Sequence, residues 1–187
     1  MSQFKIILPD KKYTEELLKI AKEFKENPTP FDIRHRNKIV SAFENNDADG
    51  YFKNCENFRK GINLPEGRVP SFNLWIMNDQ DIVAIADIRP TLNDYLRNVQ
   101  GGHLAYEMVP SYRGKGLMNL IGKMLLEYMY DEFKIQKALI TCREKNIPSY
   151  KVITRLMNEM GGHPDTDTLI DGEIEKRFWI NTIKSSS

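Results

Sequence analysis

The stretch from His103 to Gly122, HLAYEMVPSYRGKGLMNLIG, reads as a strand, a tight basic turn and a helix. Leu104, Tyr106 and Met108 alternate with other residues as on a strand. Pro110 ends that strand, because it has no N–H to give to a ladder. From Leu117 onward, Leu117, Leu120, Ile121, Met124, Leu125 and Met129 recur at the three-and-four spacing of a helix with one buried stripe. Between the two lies Arg113-Gly114-Lys115-Gly116. Two glycines there permit unusual backbone angles and let a ligand approach the main chain, and the first N–H groups of a helix have no partner within it. With two basic side chains and a positive helix end, such a turn suits a phosphate or diphosphate. A nucleotide-like ligand is the first functional expectation, against the plainer reading of a chain reversal.

Outward from this unit, the chain alternates helices and strands. Ile6 to Pro9 predicts a short first strand, and Tyr13 to Lys25 a surface helix with Leu17, Leu18, Ala21 and Phe24 on its apolar side. Pro28 and Pro30 break it, since each disfavours helix in the residue before it. A second helical zone starts near Asp32, with Ile39, Val40 and Phe43 in one piece and Tyr51, Phe52, Cys55 and Phe58 in another. The acidic segment Asn45 to Gly50 between them lacks the spacing and closing Glu of a calcium loop, so it is read as a solvated turn and no metal is expected.

Strand periodicity follows in Ser71–Met77 and Ile82–Ile88, an antiparallel pair across the polar residues 78–81. Arg89 to Gly102 is read as a connector to the strand at His103, with a substrate loop as the alternative. Beyond the central helix come an apolar strand at Ala138–Cys142, a helix at Ser149–Met160 stopped by Gly161-Gly162, and a hairpin of Thr168–Ile170 and Ile174–Ile180 around Asp171-Gly172. Strand, helix and strand in this length imply a right-handed parallel crossover between His103 and Ala138. The expected fold is therefore α/β (α+β), a mixed, mostly antiparallel sheet with a central parallel strand pair, flanked by helices.

Length and charge narrow the function. The 187 residues, 41% of them hydrophobic, fit one domain spanning 1–187, with 184–187 a frayed tail. A net charge of +1 gives no general nucleic-acid or membrane-surface footprint, so any cationic site is local. No stretch is long enough to span a bilayer, and Met1 to Asp10 lacks the apolar run of a signal peptide. Cys55 and Cys142 lack metal-site spacing and read as reduced thiols, which predicts a cytoplasmic protein.

The basic turn is neither of the two familiar phosphate loops. It resembles the acetyl-CoA loop of the GNAT superfamily of N-acyltransferases, Val-x-Pro-x-x-Arg/Gln-x-x-Gly-x-Gly/Ala, through Met108, Pro110, Arg113, Gly116 and Met118. Met118 departs from the pattern, standing where a small residue is usual. Thr141, Cys142, Asn146 and Ser149, the glycine pair at 161–162, and Arg177-Phe178-Trp179-Ile180 are similar to a bacterial branch of small acetyltransferases, as are Val69-Pro70-Ser71, Leu92-Asn93-Asp94 and Gly101-Gly102-His103 upstream. The resemblance covers essentially the whole chain, most specifically from Gly101.

It implies transfer of an acetyl group from acetyl-CoA to a primary amine of a small molecule or peptide, with homodimerisation as a further possibility and neither nucleic acid nor membrane as partner. On this likeness the main chain around Met108 and Val109 pairs with the pantetheine arm. Arg113, Gly114, Lys115, Gly116 and Leu117 hold the diphosphate, and Asn146 meets the arm with help from Ser149. As alternatives, Asn146 is also a good turn residue and Ser149 stabilises a helix start. Many family members carry a tyrosine acid seven residues after the asparagine, where this chain has Ile153, which leaves Tyr150 as a substitute or a packing residue.

Attack by a neutral amine on a thioester needs positioning, a polarised carbonyl and a way to lose a proton. Glu107 and His103, on one strand face by alternation, are the candidate bases. Their structural alternatives are a salt-bridge partner for Arg113 or Lys115, and a core histidine. A catalytically degenerate module that only binds CoA is the competing reading of the whole chain.

Overall fold

The computed structural model describes residues 3–31 and 34–183. The expected start of the second helical zone at Asp32 and the expected tail at 184–187 lie outside these. The chain divides into two compact units, Met1–Ile88 with Tyr106–Leu117, and Arg89–Ala105 with Met118–Ser187.

The first unit begins with strand β1 (Phe4–Ile7) and helix α1 (Thr14–Glu26), preceded by one 3-10 turn that Asp10 caps through the Lys12 N–H. Helices α2 (Arg34–Glu44) and α3 (Ala48–Lys60) follow. Asp47, from the acidic segment 45–50, accepts the Gly50 N–H at 2.8 Å and caps α3, whose C-terminus closes on Gly61 at a φ of 69°. Strands β2 (Phe72–Asn78) and β3 (Asp81–Ile88) pair antiparallel across a two-residue turn with Asp79 at positive φ. Strand β4 (Leu104–Met108) completes the order β1-β2-β3-β4.

Helices α1, α2 and α3 bury Leu17, Ile20, Phe24, Ile39, Tyr51 and Phe52 in one cluster with Trp75, Met77, Ile82, Ile85 and Val109. A Phe or Trp truncated here costs about 3–5 kcal/mol. Alternation on β4 departs from expectation. Glu107 is buried while Tyr106 and Met108 are only half-buried, because that carboxylate meets two arginines.

In the second unit, the connector at 89–102 contains a short helix, α4 (Asp94–Asn98), capped by the Asn93 side chain on the Leu96 N–H at 2.9 Å. Helix α5 (Met118–Phe133), strand β5 (Lys137–Arg143) and helix α6 (Ile147–Met160) come next. Strand β6 (Gly162–Pro164) begins where the sequence predicts only a helix stop, and β7 (Thr168–Ile170) and β8 (Glu173–Asn181) form the expected hairpin. β8 pairs antiparallel with β5, β6 and β7.

The expected parallel pair is reduced to one main-chain bond, His103 N–H to Leu139 O at 2.8 Å, and β4 and β5 belong to different sheets. On α5 the buried stripe is Met118, Ile121, Gly122, Leu125, Leu126 and Met129, with Leu120 48% exposed, so the inward face is rotated from the expected one. A Cβ at Gly122 would meet Leu156 Cδ1 at 2.6 Å, so a larger residue there would require the Leu156 side chain on α6 to shift.

Candidate active site

The basic turn is built on a rigid base. Val109 N–H bonds to Val83 O at 3.0 Å, and Pro110–Tyr112 then form one 3-10 turn, closed by the Arg113 N–H on Pro110 O at 3.1 Å. Ser111 N–H donates to Glu23 Oε2 at 3.1 Å, and the Tyr112 hydroxyl to Asp81 Oδ2 at 3.0 Å. Those two bonds fix the turn to α1 and to the β2–β3 hairpin. Beyond Arg113 the chain changes character.

Gly114 and Gly116 hold φ of 73° and 72°, and a Cβ at either would meet nothing within 4 Å. Positive φ explains both glycines; the space beside them is open. Among the described residues, the N–H groups of residues 114–117 meet no acceptor. Lys115 Nζ lies 4.8 Å from the Tyr112 ring centroid. A run of unsatisfied N–H groups flanked by Arg113 and Lys115 is an anion cradle in physical terms.

Glu107, six residues before Arg113, is the buried charge beside this turn. Its Oε1 accepts from Arg36 Nη1 at 3.3 Å and from Arg113 Nη2 at 3.0 Å, while Oε2 is buried without a partner. Burial pushes its pKa up, opposed by Arg36 and then Arg113. Arg36 is itself anchored, Nη1 on Thr29 Oγ1 at 2.5 Å and Nη2 on Phe31 O at 2.7 Å. Arg113 Nε also reaches Met108 O at 3.3 Å.

Arg36 was not anticipated from the sequence. A signal existed, because Arg36, Ile39 and Phe43 share one helical stripe, and an arginine on an apolar stripe needs a buried acid.

His103 sits in the second unit. Its Nδ1 accepts the Leu139 N–H at 2.9 Å, and its ring meets Trp179 edge-on at 6.1 Å. Burial first, with Arg89 and Arg97 adding to it, lowers its pKa to about 4. The ring is therefore neutral near pH 7, its proton on Nε2 and its lone pair at Nδ1 already engaged. Glu107 and His103 thus have no partner in common.

On the first turn of α6, Asn146 Oδ1 accepts the Ser149 N–H at 3.3 Å, a helix cap, and Pro148 occupies the tolerated first turn. Tyr150 is 37% exposed, its ring edge-on to Phe178 at 5.9 Å, and its hydroxyl meets no partner among the described residues. Ile153, at the position of the usual tyrosine acid, is fully buried. Cys55 and Cys142 are free and buried, and burial pushes Cys142 up to about 11. Among the described residues no helix is long and apolar enough to cross a membrane, and no three His, Cys, Asp or Glu gather as a metal site requires.

The family model described as an acetyltransferase (GNAT) domain matches residues 25–156, more than half of the chain. The chain belongs to the GNAT acetyltransferase family. A curated relative, the uncharacterized N-acetyltransferase YnaD of Bacillus subtilis (strain 168), is 34% identical over 47 residues, which is 25% of this chain and 28% of that protein. This chain therefore matches little more than a quarter of that relative's length.

Solved GNAT structures align far more completely. RimL, a ribosomal L7/L12 alpha-N-protein acetyltransferase in complex with coenzyme A, superposes with a TM-score of 0.66 at 12% identity, covering 100% of this chain and 97% of that one. Spermidine N-acetyltransferase from Vibrio cholerae, in complex with CoA and spermine, gives a TM-score of 0.56 at 12% identity, with 98% of each chain covered. At such identities the likeness shows the GNAT fold.

Proposed function

We propose that the protein transfers an acetyl group from acetyl-CoA to a primary amine of a small molecule or peptide, by direct attack with both substrates bound. The turn at 113–117 carries the reading: two positive-φ glycines beside open space, N–H groups of 114–117 without acceptors, and two cations. These residues fit a diphosphate, with Arg113 and Lys115 supplying charge and the main chain supplying donors. Acetyl-CoA, when bound, supplies the activated acyl group as a thioester.

The main chain at Met108 and Val109 is assigned to the pantetheine arm. On α6, Asn146, whose Oδ1 caps the helix, and Ser149 are assigned to the same arm. Glu107 is the base in this reading, because burial raises its proton affinity, whereas His103 has its Nδ1 lone pair engaged. Tyr150, with an unengaged hydroxyl, is the candidate acid. The whole chain acts as one acetyltransferase domain, cytoplasmic and homodimeric. The free buried cysteines support the first, and family likeness the second.

Calorimetric titration with acetyl-CoA and CoA tests the site, followed by a panel of polyamines and peptide amino termini, the acceptor types named for the Vibrio cholerae enzyme and for RimL. Micromolar binding, weakened by about tenfold or more in Gly116→Val and in Arg113→Ala, is the expected result. No heat, with an unchanged melting temperature at millimolar acetyl-CoA, overturns it. A binding-only module is the second reading, favoured by the buried Ile153 at the usual acid position. Binding without turnover on the whole panel selects it.

A further inference from the structure

Glu107 is held by two arginines that are themselves held very differently. The Arg36 side chain is 9% exposed, projects from α2, and has two anchors besides Glu107, the Thr29 hydroxyl and the Phe31 carbonyl. Arg113 is 34% exposed on its side chain, stands at the head of the turn, and has one other contact, a 3.3 Å bond to Met108 O. Both guanidiniums converge on Oε1, although a single arginine in a forked pair would occupy both oxygens. The Arg113 bond is the shorter, 3.0 Å against 3.3 Å, but its side chain is the more solvated and the less anchored of the two. Its guanidinium also begins the anion cradle, so one cation serves two acceptors that compete for it.

We infer that Arg113 is an exchangeable partner of Glu107: a diphosphate-bearing ligand on the 113–117 turn draws its guanidinium away, and Arg36 alone keeps the carboxyl group in place. This rests on the reading of that turn as the diphosphate site. The charged groups acting on Glu107 are Arg36 from α2 and Arg113 from the turn, both of which favour the carboxylate. Removing one leaves burial less opposed, so the proton affinity of Glu107 rises when the acyl donor binds. The carboxylate becomes a stronger base only once there is an acyl group to transfer. Arg36 is then a positioning residue, acting through Glu107 rather than on substrate.

The exchange predicts that ligand binding takes up protons. Titrate the full chain calorimetrically with dephospho-CoA, which keeps the diphosphate but lacks the titrating 3′-phosphate, in buffers of different ionisation heat from about pH 5 to 8. The expected result is a buffer-dependent heat that reports net proton uptake, lost in Glu107→Gln. Arg113→Gln serves as a second variant, already lacking the exchangeable cation, and its residual binding is expected to proceed without uptake. Binding with buffer-independent heat throughout, or uptake undiminished in Glu107→Gln, overturns the exchange and leaves the diphosphate site standing. No binding at all overturns both the site and the exchange.

Discussion

Two buried charges, one in each unit, are treated in opposite ways. Arg177 on β8 is 2% exposed, and its guanidinium meets Arg97 O, Val99 O at 3.5 Å and Asp165 Oδ2 at 3.4 Å. It ties the end of α4 to the sheet of the second unit. Glu107 is 7% exposed, yet it crowds two arginines onto one oxygen and leaves the other without a partner. Taking a charge out of water costs several kcal/mol, and an unsatisfied buried acceptor adds about 1–3 kcal/mol. A charge whose acceptors surround it belongs to the architecture. A half-satisfied one beside an anion cradle is a local inconsistency of the sort that folds carry where chemistry is done.

The contrast breaks most visibly at Arg177. Replacing it by leucine leaves Arg97 O and Asp165 Oδ2 without this donor, while Val99 O keeps the Thr168 hydroxyl, and a loss of about 3–5 kcal/mol is expected in urea or guanidinium unfolding. Arg177→Lys recovers only part of it, since an ammonium cannot fork to separate acceptors. A loss below about 1 kcal/mol for the leucine variant would mean that this charge is not structural.

A neutral buried group sharpens the comparison through pH. In the first unit, His35 Nδ1–H donates to Ala86 O at 3.1 Å, the Tyr51 hydroxyl donates to His35 Nε2 at 2.9 Å, and Trp75 Nε1–H donates to the Tyr51 oxygen at 3.2 Å. Every member is satisfied only while the ring is neutral, and burial lowers its pKa from 6.5 to about 4. Because the unfolded chain takes the proton first, the stability this group contributes is present above pH 6.5 and is lost as pH falls toward 4. The slope is at most about 1.4 kcal/mol per pH unit. Urea midpoints between these limits should show that decline, and His35→Gln should flatten it. An identical slope in the variant would assign the decline to other groups.

Much of this was legible because it is local. The Pro110 strand end, the glycine turn, the Asp171-Gly172 hairpin and the α1 and α6 stripes each follow from residues within a few positions of one another. What escaped is long-range or marginal. Arg36 meets Glu107 across 71 positions and His35 meets Ala86 across 51, and no periodicity announces such pairs. Strand β6 is three residues long and is defined only by its partners on β8, Ile180, Trp179 and Phe178. The stripe on α5 was misplaced because Leu120 and Met118 are both apolar, and neighbours in space decide which one turns inward. At the candidate site the turn was readable, while the reason Glu107 is buried was not.

The smallest expected change in stability comes from the most functional of these groups. Glu107→Gln keeps the shape and one acceptor while removing a charge whose burial is already unfavourable, so at pH 7 it should cost no more than about 1 kcal/mol. Acetyl transfer, if Glu107 is the base, should fall by about a hundredfold or more. The pH dependence has the opposite sign to that of His35. A carboxyl group whose folded pKa is raised contributes stability fully present below its ordinary value of 4.5 and lost as pH rises through the folded value. Glutamine does not titrate, so the difference between variant and parent should drift in the variant's favour from about pH 4.5 upward, readable as paired urea midpoints. A loss above about 3 kcal/mol at pH 7 would instead make Glu107 an architectural charge like Arg177, because only a carboxylate that Arg36 needs for its own burial would be missed so severely.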